Sequence, residues 1–166
     1  ILRMFAEQAY GQGQASKLDH LTVTLPHPEA MAALISGRTE ITAHFTAAPY
    51  YQQEEAAGLH RSINSYDILG GPATYSVAWA SKKFMDENPK TTRAVLAALE
   101  EAIDLIKSDP RRAAETYVKA EDPRLDPAWV EKMIRDPENV FTMTPQNVMK
   151  FAAFMAKTGA IRQSPA

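Results

Sequence analysis

Between residues 21 and 57 the apolar positions change period three times. Leu21, Val23 and Leu25 alternate with Thr22 and Thr24, which is the mark of a strand buried on one face, and Pro26 ends the run. Pro28 suits a first helical turn, where a missing N–H costs nothing. Ala30, Leu34 and Gly37 then fall on or near one helical face, with Met31 and Ile35 beside them. Gly37 is placed to close that helix in a left-handed cap. Thr39 to Thr46 resumes as a strand and Ala47 to Ala57 as a helix. A crossover of this length joins parallel strands, so the expected class is α/β with a largely parallel sheet.

The same logic extends in both directions. Ile1, Phe5 and Gln8 or Ala9 recur at helical spacing until Gly11 and Gly13 break the pattern. Gly58 ends the helix before it, Leu59 to Ile63 reads as a short strand, and Asn64 to Pro72 as a loop with Tyr66, Ile68 and Leu69 turned inward. Thr74 to Ala80 alternates again, with Tyr75, Val77 and Trp79 on one face. Beyond it, Asn88-Pro89, Asp109-Pro110, Asp126-Pro127 and Thr144-Pro145 each set a capping residue before a proline, so four helices are expected to start there. The first carries Val95, Leu96, Leu99, Ala102, Ile103 and Ile106 as a stripe that should cover the sheet. The last holds Val148, Phe151, Ala152, Phe154 and Met155, more apolar than a solvated tail. The organisation expected is an α/β ligand-binding lobe over 1–81 and a helical region over 82–166.

In open α/β sheets ligands collect at the carboxyl ends of the strands. Those ends are Pro26-His27-Pro28 and His44-Phe45-Thr46-Ala47-Ala48-Pro49-Tyr50. His44, Phe45, Thr46 and Tyr50 supply an imidazole, a hydroxyl and two rings beside a helix start, a set suited to a small anionic or flat polar ligand. His27, Thr74 and Tyr75 form a second rank of candidates. Core packing of Phe45 and Tyr50, and a plain helix cap at Thr46, account for the same residues equally well.

Other chemistry is sparse. His20, His27, His44 and His60 have no metal-site spacing to one another or to a carboxylate, and neither a nucleophile elbow nor a phosphate-binding glycine loop is present. Glu54-Glu55 and Glu100-Glu101 are adjacent on helices, point about 100° apart, and read as solvated faces. No metal, cofactor or catalytic residue is expected. A net charge of −2 gives no footprint for nucleic acid, and the single Arg111-Arg112 pair reads as a solvated helix face. With no cysteine, thiolate chemistry and disulfides are excluded.

The order of several phrases resembles the later part of a substrate-binding protein of an ABC importer, from the nitrate, sulfonate, taurine and thiamine-precursor (hydroxymethylpyrimidine) group. The phrases are Pro26 with Glu29-Ala30-Met31-Ala32-Ala33-Leu34-Ile35-Ser36-Gly37, Glu40-Ile41-Thr42-Ala43, Pro49-Tyr50, Gly71-Pro72, Tyr75 to Ser81, and Phe84-Met85-Asp86-Glu87-Asn88-Pro89. Glu40 stands where relatives often carry Asp, and Phe45 with Thr46-Ala47-Ala48 stands where many carry Trp before the Pro-Tyr pair, which leaves the ligand class open.

The resemblance implies a periplasmic-binding-protein type II lobe. It implies a non-enzymatic protein that closes on a small, anionic or heteroaromatic organic solute between two lobes and passes it to an ABC transporter permease. The location implied is periplasmic or extracytoplasmic, with membrane contact only through the permease or an upstream anchor. Because the chain starts at Ile1 within a helical pattern, a further lobe and an export signal are expected upstream. Two other functions share the fold: the effector-sensing domain of a transcription regulator, and a thiamine-pyrimidine-synthase-like enzyme, which would need iron and reactive histidines.

Overall fold

The computed structural model describes residues 1–162, and those residues are helical wherever they are regular. Backbone contacts divide the chain into two units, one of residues 1–73 with 147–166 and the other of residues 74–146.

The first unit opens with α1 (Leu2–Tyr10), which ends at Gly11 with φ 98°. A 3-10 turn at Asp19–Leu21 follows, then α2 (His27–Ser36), closed as expected by Gly37 in the left-handed region at φ 61°. α3 (Tyr50–Ala56) packs on α2. α4 (Ser65–Leu69) packs on α1 and occupies the stretch expected to be a loop. Asn64 makes this short helix possible, because its side-chain oxygen accepts the Tyr66 N–H at 2.9 Å. Ile68 and Leu69 do turn inward and are buried, and Gln8 of α1 donates to the Ile68 carbonyl at 2.8 Å.

The second unit holds α5 (Lys82–Glu87), α6 (Pro89–Ser108), α7 (Pro110–Ala120) and α8 (Pro127–Ile134). Its core forms where α7 meets α8: Ala114, Val118 and Val130 are buried, with Tyr117, Leu125, Trp129, Met133 and Ile134 packed around them. Three of the four Pro-marked starts stand where the sequence puts them. Asp109 accepts the Arg112 N–H at 3.1 Å and Asp126 the Ala128 N–H at 2.9 Å. Asn88 instead donates back to the Phe84 carbonyl of α5, so Pro89 opens α6 without a side-chain cap.

The expected sheet is not there. Among the described residues no strand is formed, and the segments 21–25, 39–46, 59–63 and 74–80 run without ladder hydrogen bonds. The largely parallel α/β lobe read from the sequence is therefore replaced by helices joined by irregular and extended segments. Alternation records which side chains would share a face once a strand is paired, but it does not supply the partner, and an unpaired segment gains neither ladder bonds nor a covered face. Leu21 is accordingly 69% exposed and Trp79 88% exposed. The α6 stripe lacks its cover for the same reason, and Val95, Leu96 and Leu99 lie exposed.

The fourth proline also misleads. The last helix, α9 (Val148–Lys157), starts three residues after Pro145, behind Asn147 at φ 54°. Thr74 explains the delay: its N–H donates to the Gln146 carbonyl at 3.0 Å and its Oγ1 accepts the Gln146 N–H at 2.7 Å. The first of these bonds engages the Gln146 carbonyl, which in a helix starting at Pro145 would accept from the N–H four residues on. The Gln146 N–H would have had no intrahelical partner there.

Candidate functional site

Two histidines seventeen positions apart meet in the first unit. His27, the first residue of α2, places its Nδ1 3.0 Å from Nε2 of His44, which lies in the extended segment before α3. The other ring nitrogen of His44, Nδ1, stands 2.6 Å from Oε1 of Glu54 on α3. Glu54 is 6% exposed and the His44 side chain 7% exposed, whereas His27 is half-buried. Tyr50, one helical turn before Glu54, stacks on His27 with ring centroids 5.2 Å apart and an interplanar angle of 20°. The His27 and His44 rings are tilted 48° to each other at 5.1 Å.

Burying a carboxylate is costly unless it is paired and hydrogen-bonded. His44 meets that need for Glu54 and so fixes its own ring. A carboxylate only accepts, hence His44 donates through Nδ1, and its Nε2 faces His27. The result is a hydrogen-bonded line from a buried acid through a buried imidazole to a half-exposed one.

Three of the seven sequence candidates, His27, His44 and Tyr50, are thus brought together. Phe45 follows His44 with its ring exposed. Thr46 donates its hydroxyl to the Ala47 carbonyl at 3.4 Å. It caps no helix, because α3 starts at Tyr50 instead of Ala47, with Pro49 before it and a cis peptide between Ala48 and Pro49. Thr74 and Tyr75 belong to the second unit, Thr74 bonded to Gln146 and Tyr75 exposed.

Sequence reasoning missed two things. The histidines, read as scattered, include a touching pair, and Glu54, read with Glu55 as a solvated face, is buried while Glu55 pairs outside with Arg61 at 3.1 Å. The usable signal was the spacing of four between Tyr50 and Glu54, which puts both on one helical face. Among the described residues no group of three or more His, Cys, Asp or Glu side chains is arranged to hold a metal ion.

Two open hollows of the first unit are lined by other residues. One of about 610 Å³ lies between α1, α4 and α9, and one of about 490 Å³ between α1 and α9. The cations at the first are engaged: Lys150 Nζ donates to the Leu69 carbonyl, and Lys157 Nζ to Glu7 at 2.7 Å.

The family model of the NMT1-like family matches residues 10–119, well over half of the chain and including His27, His44, Tyr50 and Glu54. The chain belongs to the NMT1-like family. That membership agrees with the resemblance to nitrate, sulfonate and thiamine-precursor binding proteins read from the sequence, and it carries a solute-binding role in ABC transport. No curated protein and no solved structure matches the chain. Among the described residues no helix is long and apolar enough to cross a membrane.

Proposed function

We propose that the chain binds a small anionic or heteroaromatic organic solute at the His27–Tyr50 face and releases it unchanged to an ABC importer permease, outside the cytoplasm. The observation that carries this reading is the Tyr50 ring stacked on a half-buried His27 whose inner nitrogen is held by His44 and Glu54. Such a ring has one nitrogen left for a ligand and a flat neighbour beside it, the polar-plus-aromatic pairing of small-solute sites. Membership of the NMT1-like family supports the transport setting.

Calorimetric titration of the 166-residue chain with nitrate, ethanesulfonate and 4-amino-5-hydroxymethyl-2-methylpyrimidine tests it. Saturable binding of at least one is expected, weakened about tenfold in His27→Ala, the scale of one lost hydrogen bond. Absence of saturable heat with all three overturns the reading, and so does product formation from any of them.

A further inference from the structure

The line from Glu54 to His27 has one open end, and a single proton decides what that end presents. Glu54 accepts from His44 Nδ1–H. Without an added proton, His44 Nε2 carries a lone pair, so His27 Nδ1–H must donate to it across the 3.0 Å gap. His27 Nε2 then shows a lone pair, and the three groups together carry the one negative charge of Glu54. Let a proton add at His27 Nε2: the Nδ1 proton of His27 passes to His44 Nε2, and His27 is neutral again with its N–H facing outward. The positive charge now sits on His44, next to Glu54, and the three groups are neutral as a set.

The geometry points to an anion site that takes up one proton with each anion: the outer N–H of His27 donates to the anion while His44 holds the charge inside. This rests on the solute-binding reading above and adds its regulation. In the unprotonated arrangement an anion meets a lone pair and a net negative set. In the protonated one it meets a donor backed by a neutral pair. Binding is thereby coupled to proton uptake, and release is favoured as pH rises. The titratable groups that meet the two rings are Glu54 and Tyr50 from α3, Tyr50 through its stacked ring face, and the histidines themselves from α2 and the extended segment before α3. Glu54 acts through His44 and is a positioning residue.

Ethanesulfonate and nitrate are the probes, since neither titrates across the imidazole range and any proton taken up is the protein's. Titration in two buffers of different ionisation enthalpy should show close to one proton bound per anion on the alkaline side, with affinity falling about tenfold per pH unit there. Glu54→Gln should move that profile to lower pH, because the inner charge loses its counter-ion. Nitrogen-15 spectra of the anion-bound wild-type chain, which depend on no variant folding, should show His44 protonated on both nitrogens and His27 neutral with its proton on Nε2. Anion binding without proton uptake, or spectra with the charge on His27, overturns the inference and leaves solute binding standing. Failure of both anions to bind at any pH also overturns it; the reading above then stands only if the pyrimidine binds.

Discussion

Lys157 near the end of α9 and Glu7 on α1, 150 positions apart, form an ion pair with Nζ 2.7 Å from Oε2. The other carboxylate oxygen of Glu7 accepts the Gly13 N–H at 3.0 Å. The Lys157 hydrogen bond first, and that backbone N–H second, hold the Glu7 carboxyl below its ordinary range. Arg3 does the same to Asp19, and Arg124 to Asp122.

Each of these carboxyls therefore has a folded-state value below its unfolded one. The unfolded chain binds more protons in the window between the two values, so the contribution is complete above the unfolded value and is lost as pH falls through the depressed folded ones. Urea unfolding midpoints should fall on acidification below about pH 5, where carboxylates begin to protonate. Glu7→Gln should have a flatter acid limb. Parallel acid limbs for the wild type and Glu7→Gln would remove Glu7 from this account.

His44 and Glu54 support a second prediction through their asymmetry. His44→Leu leaves a carboxylate buried with no counterpart and should cost roughly 3–5 kcal/mol, the usual result of breaking a buried pair from one side. The double variant His44→Leu/Glu54→Leu removes the stranded charge as well and should recover most of that loss. Denaturant unfolding of the wild type, both single variants and the double variant gives the coupling energy directly. A coupling near zero would mean that Glu54 is satisfied by something other than His44.

Features set by local chemistry were legible in advance. Gly37 ends α2, and the Pro89, Pro110 and Pro127 starts hold because a proline at the first turn and a glycine past the last act within a few residues of themselves. Features that need a distant partner were not. Thr144-Pro145 has the same local text as the other three starts, but Gln146 is claimed by Thr74. The Leu21–Leu25 and Thr74–Ala80 alternations mark faces and say nothing of whether another strand lies alongside. For the site, placing ligand contacts at strand ends selected His27 and His44 although the strands did not form. Glu54 escaped because a glutamate in a charged helical run is normally solvated.

Gly37 offers a direct measure of a left-handed cap. Its φ is 61°, and a Cβ built there meets no other atom within 4 Å, so space is not the obstacle. Gly37→Ala should still destabilise by about 1–2 kcal/mol, the backbone penalty of an L-residue in that region. Gly37→Asn should lose less, since Asn visits the region more readily. Equal losses for Ala and Asn in thermal unfolding would point to a cause other than backbone conformation.

Val130 and Trp79 make the opposite pair in the second unit. Val130 is 1% exposed between α7 and α8, and its two methyl groups fill the contact with Ala114 and Val118. Val130→Ala should cost about 2 kcal/mol, combining the lost transfer energy with the space left behind. Trp79 is far larger, but at 88% exposure it gives up little by truncation, so Trp79→Ala should stay within about 0.5 kcal/mol of the wild type. The comparison separates side-chain size from burial, because an account based on size alone ranks the two the other way. Denaturant midpoints decide it: a larger loss from Trp79→Ala than from Val130→Ala would overturn the ranking by burial.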